Sequence, residues 1–281
     1  MRQQISGSAS GTKVRHTAPE RIGRVEVKLP PIDVQYTIAS TLTAYDDLVE
    51  NNRRRIKLLE ETARLLYKEW FVRLRFPGHE HACVINGVPK GWERKPLNKL
   101  TTFLKRGIAP EYNDNAMGLV INQKCVRDGR LDLTLARRQS REFREERQVK
   151  SGDVLVNSTG EGTLGRVAQL KVPVPNCTVD SHVTIVRPRP NVGRHYFGMA
   201  VMEWAPHFAT MGKGATNQSE LSPDTIGEAV ILVPPHQLLQ HFESFADPLY
   251  CQITNLVAQN GKLRAARDLL LPRLMSGEIA V

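Results

Sequence analysis

Three short runs in this sequence hold residue types that could do chemistry. Gly160-Glu161-Gly162-Thr163-Leu164-Gly165 has the glycine spacing of a dinucleotide-binding loop and follows the apolar run Val154-Leu155-Val156. In such a loop the glycines let backbone N–H groups approach a pyrophosphate at the N-terminus of the next helix. Here the next segment, Arg166 to Val174, is rich in valine and interrupted by Pro173, so it predicts no helix to hold the phosphates. Asp180 lies about where a ribose-binding acid would stand, but in a strand-entry turn. The same glycines suit a tight hairpin whose polar tip is Asn157-Ser158-Thr159. His79, His81 and Cys83 could ligate zinc, yet no fourth ligand is evident and the loop reads as a linker. Asp180-Ser181-His182 has the letters of a hydrolase triad without its geometry, because neighbours on a strand point to opposite faces. There is no P-loop, no Asn-Pro-Pro-Tyr/Phe methyltransferase motif and no nuclease-like carboxylate–lysine cluster. The expectation is a chain with no catalytic residues, no metal and no cofactor.

The charge points elsewhere. A net charge of +10 and a pI near 9.6 favour a polyanionic partner. Between Lys124 and Lys150 stand Arg127, Arg130, Arg137, Arg138, Arg141, Arg144 and Arg147. Phosphate contacts and a solvated charged face both remain open for them, the latter helped by Glu142, Glu145 and Glu146.

The elements that must position these residues show themselves through a long-range repeat. Ala18-Pro19-Glu20-Arg21-Ile22-Gly23 and Leu29-Pro30-Pro31 return 204 positions later as Ser222-Pro223-Asp224-Thr225-Ile226-Gly227 and Val233-Pro234-Pro235. Two strand–Pro-Pro–helix cassettes thus flank one unrepeated insert, too few for a solenoid. After Pro31 the apolar positions Ile38, Leu42, Tyr45, Val49, Asn52, Ile56, Leu59, Ala63, Leu66 and Trp70 alternate steps of four and three, a heptad seam. The second copy repeats it more weakly as Phe242, Ala246, Leu249, Ile253, Leu256, Asn260, Leu263, Arg267, Leu270 and Leu274. Arg267 sits on its seam, Pro248 lies inside it, and Pro272 predicts a kink or an end.

One asparagine stands in each seam, and a buried amide fixes register because it needs a partner. An antiparallel pairing with Asn52 opposite Asn260 brings every seam position onto another. It yields a rod of roughly 50 Å at ~1.5 Å per residue, with the insert at one tip. Within the insert, strands are expected at 118–122, 153–157, 165–170 and 182–186, and a helix over 193–210. The four cysteines, Cys83, Cys125, Cys177 and Cys251, form no CxxC pair and read as free thiols of a reducing cytoplasm. No apolar run approaches membrane-spanning length, and Met1-Arg2-Gln3-Gln4 does not open a signal peptide.

Together these residues resemble a known family. Leu29-Pro30-Pro31-Ile32, the run from Leu48 to Glu61 and the run from Leu66 through Trp70-Phe71 to Glu80 closely resemble the central conserved region of type I restriction–modification specificity subunits. Gly91-Trp92, Lys150 to Gly160, Thr163-Leu164-Gly165-Arg166-Val167 and Thr178 to Pro188 are similar to the family's target recognition domain, and Leu269 to Ile279 to its closing segment. The resemblance implies an α+β fold: one mixed α/β target recognition domain on a long antiparallel two-helix coiled-coil rod. It also implies a non-catalytic subunit that reads one half of a bipartite double-stranded DNA site. Modification (methyltransferase) subunits would dock on the helices, and a restriction (endonuclease/translocase) subunit would join them.

The family has two recognition domains where this chain shows one. The expected organisation is therefore a half-subunit: 1–31 as a remnant of a first recognition domain, 32–76 as helix one, 77–234 as the recognition domain, and 235–281 as helix two and tail. A second half-subunit or a homodimer would complete it. Candidate DNA readers, chosen as loop donors suited to phosphates and major-groove edges, are Lys105, Arg106, Gln123, Lys124, Arg127, Asn157, Ser158, Thr159, Arg166, Lys213, Thr216, Asn217 and Gln218. The bland alternative for each is a solvated loop residue. Two other readings compete: a stand-alone coiled-coil DNA-binding regulator, and an enzyme using a nucleotide cofactor at the Gly160 loop.

Overall fold

The computed structural model describes residues 7, 18–25, 29–212 and 219–280. They form helices α1 (Pro19–Gly23), α2 (Ile32–Tyr67), α3 (Leu97–Leu100), α4 (Arg194–Glu203), α5 (Ala205–Thr210), α6 (Pro223–Glu228) and α7 (His236–Ser276). The chain divides into two compact units, one of residues 1–54 with 257–281 and one of residues 55–256. The expected remnant at 1–31 falls largely outside the described residues, as do Lys213, Thr216, Asn217 and Gln218.

In the first unit, α2 starts directly after Pro30-Pro31, where Gln35 Nε2 turns back to the Pro30 carbonyl at 2.8 Å. The end of α7 runs antiparallel beside it. Ile38, Val49, Asn52, Asn260 and Leu274 are buried and the seam positions Leu42, Tyr45, Leu263, Arg267 and Leu270 are half-buried, while most residues off the seam are exposed, as a 3.5-residue period requires. Asn52 Nδ2 donates to Asn260 Oδ1 at 3.0 Å, and Asn260 Nδ2 donates to the Val49 carbonyl at 3.4 Å. Arg267 escapes the seam by pairing with Asp46 and Asp268. Pro272 does not end α7. Its ring lies on the exposed face, and Leu274, buried on the seam, anchors the turn beyond it. The helix stops instead at Gly277, whose φ of 75° closes it with bonds from Gly277 N to Leu274 O and from Glu278 N to Arg273 O.

The second unit is the body. Its strands are β1 (Val84–Ile85), β2 (Val88–Pro89), β3 (Glu93–Pro96), β4 (Thr101–Arg106), β5 (Gly118–Ile121), β6 (Val126–Arg127), β7 (Arg130–Leu131), β8 (Arg137–Gln139), β9 (Val154–Asn157), β10 (Val167–Gln169), β11 (Cys177–Val179), β12 (Val183–Pro188) and β13 (Val230–Val233). An antiparallel sheet has the order β10-β9-β12-β4. A three-stranded sheet has the order β11-β5-β8, with β11 and β5 parallel. Cys125, Cys177, Val179, Leu155 and Ile185 lie in a core shared by strands of both sheets.

A second core joins the other face of the antiparallel sheet to the helices. Val154, Val156 and Val186 pack with Phe197, Phe208 and Ile226, with Tyr67 and Phe242 from the long helices, and with Trp70 and Phe71 just beyond α2. Trp70 and Phe242 meet edge-to-face at 5.8 Å, and Phe71 meets Tyr196 at 4.8 Å. Helix one ends earlier than expected, at Tyr67, followed by a π-helical turn at Lys68–Val72. The single helix expected over 193–210 is two, α4 and α5, because the first closes at Trp204 and Pro206 can sit only in the opening turn of the next. Among the described residues no helix is long and apolar enough to cross a membrane.

Candidate nucleic-acid interface

The strand registers bring several loops of the body to one end. Thr184 lies opposite Arg106 and Val183 opposite Asn157, so the end of β4, the start of β12 and the end of β9 sit together. The Asp180 amide bonds the Ile121 carbonyl at 2.9 Å, which adds the end of β5. The chain crosses closely here, and a Cβ at Gly107 would collide with the Val179 carbonyl. Between β9 and β10 the glycine run makes a tight turn, with Gly160, Gly162 and Gly165 all at positive φ, and leads straight into β10. No helix follows, so the dinucleotide-loop reading fails and the hairpin reading holds.

At this end the predicted readers sort by burial. Asn157 and Ser158 are fully buried, which corrects their expected place at an accessible tip. The reason is that β9 is an interior strand. Asn157 Nδ2 donates to the Gln123 carbonyl at 3.0 Å, and Ser158 Oγ meets Thr184 Oγ1 at 2.6 Å. Arg106 is committed inside the protein too, pairing with Glu220 and donating to the Leu221 carbonyl at 3.0 Å. Gln123, Thr159 and Arg166 are half-buried on the same loops, and Thr163 Oγ1 reaches Gln123 Oε1 at 3.4 Å. Arg166 donates to the Gly162 carbonyl at 2.8 Å. Lys105 and Lys124 are exposed, Lys105 with its ammonium 5.6 Å from the Phe103 ring centre. Arg127 is exposed on the β6–β7 hairpin, whose Gly129 approaches Met202.

Most of the arginine run serves the fold. Arg130 pairs with Glu60, and Lys171 reaches the same carboxylate at 3.4 Å. Arg137 stacks on Tyr112 at 3.4 Å. Arg138, Arg141 and Arg147 donate to the carbonyls of Ala116, Ala109 and Arg106 at 2.8, 2.7 and 2.6 Å. Nothing local in the sequence signals these pairings, because their acceptors are backbone atoms or residues far along the chain.

The decoy motifs resolve as structure. The Asp180 carboxylate accepts the His182 backbone N–H at 2.9 Å, and the His182 ring turns to Thr159 instead. Burial raises the Asp180 pKa. His79 bonds the Phe76 carbonyl. The one group of possible metal ligands among the described residues is a different one, His195, Glu243 and Asp247. Arg194 already lies in it, donating to Asp247 Oδ1 at 2.6 Å, while Glu243 accepts the backbone N–H groups of His195 and Tyr196 at 3.0 and 2.9 Å. The cation this cluster holds is a guanidinium. Burial drives the His195 pKa down to about 4 and raises that of Glu243. Burial would also raise Asp247, but the bonds from Arg194 and His195 outweigh it and the net shift is down. Sequence reasoning missed this junction. Its only signal is the four-residue spacing of Glu243 and Asp247 on α7.

Comparison with known proteins follows the same lines. No family model matches the chain. The type I restriction enzyme MjaIX specificity subunit of Methanocaldococcus jannaschii is 25% identical, covering 99% of this chain and 66% of that protein. The HindI specificity subunit of Haemophilus influenzae is 19% identical, covering 99% of this chain and 74% of that protein. Along 99% of its length this chain is similar to type I restriction enzyme specificity subunits. It spans about two thirds of the length of the Methanocaldococcus relative. The specificity-subunit fold extends to a solved structure, the type I restriction–modification S subunit from M. genitalium. That structure has a TM-score of 0.59 at 18% identity, covering 97% of this chain and 69% of that one.

Proposed function

We propose that this chain is the DNA-reading subunit of a type I restriction–modification complex. The segment 77–234 serves as a target recognition domain that reads one half of a bipartite duplex site. The helical segments 32–76 and 235–281 hold that domain and receive modification and restriction subunits in the cytoplasm. A second copy, or another half-subunit, reads the other half-site. The chain itself performs no chemistry.

The observation that carries this reading is the similarity to specificity subunits along 99% of the chain. The loop end of the body supports it. Lys105, Lys124, Arg127, Thr159 and Arg166 keep donors at or near the surface, with Lys213, Thr216, Asn217 and Gln218 as further readers. Arg106, Gln123, Asn157 and Ser158 shape the loops from within. A stand-alone regulator is not favoured, because the full-length relatives are specificity subunits.

The test is reconstitution. Purified chain, modification subunits and S-adenosylmethionine should together methylate adenine within a bipartite motif, and omission of the chain should abolish it. Sequence-independent methylation, unchanged by the chain, would contradict the proposal. Tight binding of a nucleotide cofactor by the isolated chain would favour the enzyme reading instead.

A further inference from the structure

His182 opens β12 at the loop end, and its placement is fixed from several sides. Its backbone N–H donates to Asp180 Oδ1 at 2.9 Å, and its carbonyl accepts the Ser158 N–H at 2.8 Å. Its ring Nδ1 lies 2.7 Å from Thr159 Oγ1. The supports are themselves anchored in the core. Asp180 is 4% exposed with its amide on the Ile121 carbonyl, and Ser158 is fully buried against Thr184. The imidazole is nonetheless exposed, and its Nε2 has no partner among the described residues. A polar ring held by one nitrogen on a rigid mount, with the other nitrogen offered to solvent, is prepared for a directed hydrogen bond to something outside the protein.

On the reading of the chain as a DNA-recognition subunit, we infer that His182 is a specificity-determining residue, contacting one base edge in the major groove through Nε2. Thr159 is its positioning residue. When the Thr159 hydroxyl donates to Nδ1, Nε2 carries the proton and suits guanine O6 or N7, or thymine O4. When Nδ1 donates to Thr159, Nε2 accepts from the amino group of adenine or cytosine. Either way the contact has a direction, which a base edge requires and a phosphate does not. Phosphates fall to the exposed Lys105, Lys124 and Arg127.

The test selects bound duplexes from a randomised library with the full chain, and then measures affinity for the selected site over a range of salt concentrations. Wild type, His182→Ala, His182→Gln and Thr159→Val are compared, with thermal midpoints to show that all four fold. His182→Ala should lose the preference at one base pair of the half-site by about five- to tenfold while keeping the other positions and the salt slope. Thr159→Val should weaken the preference at that same base pair. His182→Gln should retain a preference there or change the favoured base. The inference is overturned if His182→Ala keeps the whole motif. It is equally overturned if the motif stays intact and the salt slope falls by about 0.9, since that marks a phosphate contact. Failure of the wild-type chain to select any motif would instead remove the DNA-reading function beneath it.

Discussion

Arg187 and Asp153 form the most deeply buried ion pair among the described residues, with side chains 14% and 1% exposed. The guanidinium is bidentate, at 2.8 Å from each carboxylate oxygen, and also donates to the Glu146 and Gln148 carbonyls at 3.0 and 2.7 Å. It ties β12 to the segment that enters β9. Removing one partner strands a buried charge, so Asp153→Ala should cost about 3–5 kcal/mol in a denaturant titration. His195 sets a pH dependence. Its folded pKa, about 4, lies below its ordinary value of 6.5, so the unfolded chain takes up the proton first. His195 therefore contributes stability that is present above pH 6.5 and lost as pH falls toward 4, by about 3 kcal/mol in the limit. Glu243, shifted upward, opposes this over the acid end. Melting of His195→Phe between pH 7 and 4 should show a flatter acid limb than wild type. At this scale the sequence was least legible. Asn157 and Ser158 have the letters of a surface tip, yet an interior strand buries them. The arginines from 130 to 147 have the letters of a phosphate track, yet most are spent on carbonyls, Tyr112 and Glu60.

Elements were read more easily where a period was long. The heptad seam persists over ten positions in each copy, and the antiparallel helices α2 and α7 follow it. The short strands β3, β8, β11 and β13 carry too few residues to establish a period, and their places come from distant partners such as β3 with β13. Pro272 does not end α7, because a proline on an exposed helix face loses only one backbone bond while seam contacts hold on both sides. The Asn52–Asn260 contact makes a prediction at this scale. Replacing both asparagines by leucine should raise the melting temperature, by an amount equivalent to ~1–3 kcal/mol, while allowing the helices to slip. Cysteines placed at Val49 and Leu263 should then cross-link less completely than in the parent. Glu243 caps the first turn of α4 from α7, and a Cβ at Gly193 would press on its carboxylate at 2.9 Å. Glu243→Ala should destabilise the body by about 1–3 kcal/mol, and Glu243→Gln by less, as read by thermal melting.

For the whole chain, the repeat is the feature most directly tied to function. One body flanked by two copies of the same cassette, α1 with α2 and α6 with α7, predicts an assembly in which two bodies read two half-sites. If two identical chains meet about a two-fold axis, the methylated motif is an interrupted palindrome. An asymmetric motif that depends on this chain alone would exclude the homodimer and leave pairing with a different half-subunit. The central claim, that the chain chooses where a methyltransferase acts, is tested most directly by sequencing the methylated bases of cells with and without its gene. One bipartite adenine-methylation motif should disappear with the gene and return on complementation. An unchanged methylome, in cells where the modification subunits remain active, would contradict it.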